Sequence, residues 1–333
     1  MPKIPFKLPG EPLLNLTSYA RSGPTRRDRL SHADIAQIRR TVRRAPEVVV
    51  KVLSRGRHDV SGAVSHFAYV SRGGTLEIET DEGERLTGIE ATEQLLDRWG
   101  LELEGERPGA DLQAFSRRKA PKLFHKVTFS MPPGTPPAKV LGAVQGFARE
   151  ELALMHRYAM VLHTDEPHPH VHLIIKSLNH QGTRLRIQKA TLRAWRQQFA
   201  KQLEARGVPA NATERAVRGK TIPGKSDAVF RTAQRQESRH ILARVESVAR
   251  DVLNGKETPD PGRARLLATR KAVEEGWLAA SGLLTAQGYH ELAVEVRRFV
   301  AQLAPVKTER EWISEELRKR IRAARVRDDA PTR

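Results

Sequence analysis

The chain has 333 residues, 39% of them hydrophobic, which is enough for one large domain or two ordinary ones with a real core. Its formal net charge of +19 argues for a polyanionic partner, either nucleic acid or an anionic membrane. It has no cysteine, which excludes disulfides, thiolate zinc sites and cysteine nucleophiles and suits a cytosolic protein. No apolar run approaches the roughly 20 residues of a membrane span. The opening M-P-K-I-P-F-K-L-P-G lacks a signal-peptide core. Of the two polyanions, nucleic acid is therefore the better reading.

Residues 1–45 read as a basic N-terminal arm, with 10 Lys/Arg against 3 Asp/Glu. The first 30 are rich in Pro and Gly and read as irregular. Ser31 with Asp34 has the pattern of a helix N-cap, and Ile35, Ile38 and Val42 follow at helical spacing. The arm is either a solvated charged tail or a DNA-contacting segment. Val48 to Leu53 reads as a buried strand, broken by Gly56 and Asp59. A short helix is predicted over Ser61 to Arg72, with Val64, Phe67, Ala68 and Ser71 along one side and Gly73-Gly74 ending it. Leu76 to Thr80 and Arg85 to Thr87 flank Asp81-Glu-Gly83 as a β-hairpin. Ile89 to Trp99 is an amphipathic helix stopped by Gly100, and the polar stretch 102–120 reads as a loop.

Lys122 to Ser130 alternates as a strand and ends at Pro132-Pro-Gly134. Pro136 and Pro137 are placed to open a helix reaching about Arg157. Tyr158 to His163 and His170 to Leu178 are predicted as antiparallel neighbours, with Asn179-His-Gln-Gly182 turning the chain. Lys189 to Arg206 is a periodic helix carrying Leu192, Trp195, Phe199 and Leu203, closed by Gly207. After Gly224 the composition turns helical, with a break at Thr258-Pro-Asp-Pro-Gly262. The division expected is an arm over 1–45, a catalytic domain over 46–225 and a helical, basic C-terminal region over 226–333. The fold class expected is α+β: an antiparallel sheet carrying the histidines described next, helices packed on one side, then the helical region.

Residues 163–172 read H-T-D-E-P-H-P-H-V-H and hold four of the twelve histidines. Successive strand side chains point to opposite faces, so His170 and His172 share a face and Val171 points away. The loop 164–169 can fold His163 over that pair. Three neutral imidazoles suit Mn, Co, Ni or Zn and tolerate Mg more weakly, and three protein ligands leave positions open for substrate oxygens. Asp165 is placed to accept a proton from a ligand histidine. His168 lies off the pattern between two prolines and reads as a loop residue. The bland alternative is a set of surface or core histidines with no metal.

A metal site on a DNA-binding protein can hydrolyse with water, or it can serve a tyrosine that forms a covalent phosphotyrosine. The four tyrosines are Tyr19, Tyr69, Tyr158 and Tyr289. Tyr69, on a helix just after a buried strand, is the best placed. Tyr158 leads into His163 and reads as structural, Tyr19 lies in the arm and Tyr289 in the helical tail.

The motif His163-x-Asp165-x4-His170-x-His172 resembles the third motif of plasmid relaxases of the VirD2/MobP type, mobilization nucleases within the HUH endonucleases. Phe124 to Gly134 (F-H-K-V-T-F-S-M-P-P-G) is similar to the second motif, and His66 to Arg72 (H-F-A-Y-V-S-R) looks like the tyrosine motif. Leu192 to Ala200 with Gly207 to Gly219 is similar to the family's closing helix and basic segment. The resemblance spans roughly residues 48–225. It implies that Tyr69 attacks the scissile phosphate at a transfer origin, leaving a 5′-phosphotyrosine and a free 3′-OH. It implies that His163, His170 and His172 hold a divalent metal, Mg or Mn first and Zn, Co or Ni next. Asp165 would orient a histidine or help activate the tyrosine, and Ser130 would sit near the scissile phosphate. Single-stranded origin DNA is the implied substrate. Relaxosome accessory proteins and a type IV coupling protein are the implied partners, and the bacterial cytoplasm is the implied location, with passage to a recipient cell alongside the strand. The stretch before the tyrosine is longer than the shortest members need. Leu317 to Arg327 has six basic residues and no acidic one, fitting a secretion signal, a solvated helix face or a nonspecific DNA contact.

Rival readings remain. A rolling-circle replication initiator shares the histidine pair but places its tyrosine after the histidines, where this chain has only the distant Tyr289. A non-enzymatic DNA-binding accessory protein would use the histidines for a structural metal. A zinc hydrolase of small substrates fits the charge poorly.

Overall fold

A computed structural model describes residues 29–53, 59–100, 122–221, 239–256, 260 and 262–328. The readings made for 1–28 (Tyr19 included), Gly56, the 102–120 loop, Gly224 and most of the 258–262 break lie outside these. The described residues fall in two compact units, one within 43–212 and the other within 13–42 and 213–333.

The first unit is built on a six-stranded antiparallel sheet in the order β1-β4-β6-β5-β2-β3. Its strands are β1 (Val49–Val52), β2 (Ile78–Thr80), β3 (Arg85–Leu86), β4 (Phe124–Ser130), β5 (Tyr158–His163) and β6 (His170–Lys176). The helices of this unit are α2 (Val60–Val70), α3 (Glu90–Arg98), α4 (Pro137–Glu151) and α5 (Lys189–Glu204); α1 (His32–Val42) belongs to the other unit. Asp59 starts α2 by accepting the Gly62 N–H at 2.8 Å, a side-chain cap that satisfies one of the orphan donors of the first turn. Pro137 opens α4, where a missing N–H costs nothing. That helix ends at Glu151, short of the expected Arg157. The N–H groups of Met155 and His156 both return to the Leu152 carbonyl, so the chain turns in time to enter β5 at Tyr158.

The sheet is covered on both faces, not on one as expected. One face sends Val127, Phe129, Val171, Leu173 and Ile175 into a core closed by Phe147 of α4 and by Trp195 and Phe199 of α5. The other sends Phe124, Ala159, Val161 and Ile174 against Phe67 and Val70 of α2 and Leu95 of α3, with Trp99 just beyond it. The reason is in the central strands. Y-A-M-V-L-H and H-V-H-L-I-I-K are buried almost without interruption, and strands apolar on both sides need cover on both.

The second unit is helical: α1 with α6 (Arg239–Leu253), α7 (Arg263–Ala286), α8 (His290–Ala301) and α9 (Glu309–Asp328). Ile35 and Ile38 of α1 join Val273, Trp277, Leu292, Val296 and Phe299 in one core. Ser31 and Asp34 form the expected cap, with the Asp34 N–H donating to Ser31 Oγ at 3.1 Å and Ser31 N–H donating to the Asp34 carboxylate at 2.9 Å. The Gln287 amide bonds both the N–H and the carbonyl of Leu30, at 2.8 and 3.0 Å. The end of the basic arm is thus a packed helix, because its apolar stripe needs a core to bury it. Residues 213–221 also belong here: Trp277 Nε1 donates to the Val217 carbonyl at 2.9 Å and Arg270 to that of Gly219 at 2.7 Å. This division differs from boundaries at 45 and 225. Among the described residues, no helix is long and apolar enough to cross a membrane.

Candidate metal centre

The β5–β6 hairpin places His163 directly opposite His170, and His172 follows two residues on, on the same face. The three rings close on one another, with centroids 4.9 Å apart for His163–His170, 4.6 Å for His163–His172 and 5.2 Å for His170–His172. One ring nitrogen from each lies within 4.8 Å of those of the other two, and all three residues are buried. The sequence spacing therefore corresponds to a real cluster.

Backbone carbonyls fix two of the rings. A carbonyl only accepts, so the facing nitrogen carries the proton. His170 Nδ1 donates to the His168 carbonyl at 3.0 Å, and His163 Nε2 donates to the Val70 carbonyl at 2.6 Å. His172 Nδ1 is buried with no hydrogen-bond partner. Burial holds His163 below the ordinary histidine value and pushes His172 down to about 3, with the neighbouring histidines adding to the effect. Both imidazoles are therefore neutral near pH 7 and keep a lone pair. A buried, unpartnered ring nitrogen within an all-nitrogen set of three histidines fits a divalent transition metal.

Helix α2 brings further groups to this cluster. Tyr69 is exposed over half its surface. His66, one turn earlier, stacks on the Tyr69 ring at 6.4 Å and meets His172 edge-on at 6.0 Å, so the three rings form a file from phenol to cluster. Just past the helix, Arg72 Nη2 donates to Asp165 Oδ2 at 2.5 Å and lies 3.3 Å from His163 Nδ1. The Arg72 guanidinium carbon sits 5.2 Å from the centre of the Tyr69 ring. Asp165 Oδ1 is 3.8 Å from His163 Nδ1, and the hydrogen bond from Arg72 holds its carboxyl below the usual range.

Ser130 ends β4 directly opposite His170, so it faces the same side as the cluster. Its neighbour on that face, Thr128, lies opposite His172 with a buried Oγ1 lacking a hydrogen-bond partner. Tyr158 is buried in the core on the other face, and Tyr289 packs against the helical unit's core. The His168 side chain is exposed, but its carbonyl orients His170. Sequence reasoning passed over His66 and Arg72. The spacing of His66, three residues before Tyr69 on a helix, was a usable signal. Arg72, three residues after Tyr69, had the same local signal, but its contacts with His163 and Asp165, 91 and 93 residues away, had none.

A family model described as "Relaxase: MobA/VirD2-like, nuclease domain" matches residues 110–208. The matched span holds all three histidines, Asp165 and Ser130, and it leaves Tyr69, His66 and Arg72 outside. No curated protein and no solved structure matches the chain.

Proposed function

We propose that the chain is a MobA/VirD2-like relaxase, as the nuclease-domain match over residues 110–208 supports, and that it nicks one DNA strand at a transfer origin by tyrosine transesterification. In this reading the Tyr69 oxygen attacks the scissile phosphorus, the P–O3′ bond breaks, the phenol loses its proton and the departing 3′ oxygen gains one. The product is a 5′-phosphotyrosine and a free 3′-OH. The new ester keeps the energy of the broken one, so the 3′-OH can reverse the step without ATP. His163, His170 and His172 would hold a divalent metal, Mg or Mn first, which supplies Lewis-acid polarisation of the phosphate. Asp165 would act on the site through Arg72, whose guanidinium it holds at 2.5 Å, and Ser130, beside His170, is positioned to meet a phosphate oxygen. The excess of basic residues supplies phosphate contacts, so binding should weaken steeply with salt. By the same reading the substrate is single-stranded origin DNA, with relaxosome accessory proteins and a type IV coupling protein as partners, in a bacterial cytoplasm from which the protein follows the strand to a recipient.

The observation that carries this reading is the file Tyr69–His66–His172, which links a half-exposed phenol through His66 to a buried imidazole triad. The test uses the full chain, Mn2+ and a library of single-stranded oligonucleotides with a randomised centre, scored for adducts that survive denaturation. Wild type should yield such adducts only with metal, and Tyr69→Phe should yield none. Adducts formed by Tyr69→Phe would move the nucleophile elsewhere. A wild type that binds metal but does not nick would favour the accessory-protein reading.

A further inference from the structure

Arg72 follows the C-cap of α2, Ser71, with a φ of 53°. This is the left-handed position that helices usually give to glycine, and Gly73 and Gly74 stand immediately after it. A bulky side chain held there against its backbone preference is an outlier of the kind that points to function. Its guanidinium makes an unusual set of contacts. Nη1 donates to the Tyr69 carbonyl at 3.2 Å, and Nη2 reaches both Asp165 Oδ2 at 2.5 Å and His163 Nδ1 at 3.3 Å. The guanidinium carbon also lies 5.2 Å from the Tyr69 ring centre, within cation–π range. One side chain thus touches the tyrosine by its ring and by its backbone, and the β5–β6 hairpin by a histidine and a carboxylate.

We propose that Arg72 is a positioning residue for the nucleophile: its guanidinium clamps the Tyr69 ring to Asp165 of the hairpin and so fixes the phenol against the histidine cluster. This rests on the reading of Tyr69 as the attacking group. Lysine would keep the charge but not the planar fork that reaches two elements at once. The clamp differs from a brace of the histidine site in its electrostatics. A cation 3.3 Å from His163 opposes a divalent metal, and the Asp165 carboxylate offsets it. Removing Arg72 should therefore leave metal affinity intact or improve it, while the reaction suffers.

The test is Arg72→Gly and Arg72→Lys in the full chain. Glycine accepts a φ of 53° without steric cost, so Arg72→Gly should melt at or above the wild-type temperature. It should bind Mn2+ at least as tightly as wild type, followed by calorimetry with the metal alone. Its rate of adduct formation on oligonucleotides recovered from the wild-type library should fall about a hundredfold, the scale of an angstrom-sized misplacement. Arg72→Lys should recover only part of that loss, and it carries the test if the glycine variant does not fold. The proposal is overturned if the variants form adducts at the wild-type rate, or if Mn2+ binding and adduct formation fall in parallel. A folded glycine variant that melts well below wild type also overturns it, since Arg72 would then serve stability. If wild type itself forms no adducts, the reading of Tyr69 falls with it; if wild type does and the variants match it, only the clamp falls.

Discussion

The two faces of the central sheet are made by alternate residues of the same three strands, yet only one of them carries a polar cluster beside its apolar core. On one face Val127, Phe129, Val171, Leu173 and Ile175 pack dry against α4 and α5, where Phe129 meets Phe147 at 4.7 Å and Phe199 at 5.2 Å. On the other, Thr128, Ser130, His163, His170 and His172 gather polar groups that a core would reject, two of them with buried polar atoms lacking a hydrogen-bond partner. A period of two lets one strand hold a packed core and a reactive cluster back to back. The histidine face also holds a second apolar core of Phe124, Ala159, Val161 and Ile174, so what should be separable is the dry face from the polar end of the other, residue by residue.

The largest effects should come from the histidine face and leave the fold alone. Tyr69→Phe should remove covalent adducts altogether, a loss of at least about a thousandfold, because no other group takes over a nucleophile's bond. Its unfolding free energy should stay within about 0.5 kcal/mol of wild type, since the side chain is half-exposed. His172→Ala should cost at least about a hundredfold in Mn2+ affinity, read by calorimetry, because even supporting partners of a metal ligand are worth ten- to a hundredfold. Mn2+ binding retained in His172→Ala would remove that histidine from the ligand set.

Phe129→Ala addresses the opposite face. It opens a cavity among Phe147, Phe199 and Trp195 and should cost roughly 3–5 kcal/mol in urea unfolding. Adduct formation per folded molecule should hold near the wild-type rate. If Phe129→Ala silenced the folded fraction as thoroughly as Tyr69→Phe, the separation of the faces would be wrong.

Much of this was legible because it is local. The β5 strand runs over Tyr158–His163 as read from the sequence, and the hairpin brings His163 to His170 because a short loop leaves few other pairings. The caps at Ser31 and Asp34 were legible for the same reason. What the sequence hid is non-local. Whether helices cover one face or two depends on where α2 and α3 pack, and hydropathy of a strand does not say which helix will cover it. Arg72 meets Asp165, and Val70 meets His163, across 93 residues of chain. The left-handed turn that aims Arg72 also has no signature in an arginine codon position, only in the two glycines after it.

A further expected effect is one of pH, carried by the buried histidines. His156, His163 and His172 are all held below the ordinary histidine value, chiefly by burial, with His172 at about 3. In the unfolded chain they titrate near 6.5. Above that pH both states are neutral at these rings and no penalty applies. As the pH falls below it, the unfolded chain takes up protons that the folded, metal-free chain refuses, so stability drops. The slope approaches about 1.4 kcal/mol per pH unit for each histidine that stays neutral. Urea midpoints with a chelator present should therefore fall between pH 7 and pH 5. Phe129→Ala should lower every midpoint and leave that slope unchanged. His172→Gln should make the slope shallower, because it removes the ring whose neutral form burial protects most. A midpoint that does not move over this range would mean that the imidazoles of the cluster accept protons in the folded state, and with them a different electrostatic balance around Arg72 and Asp165.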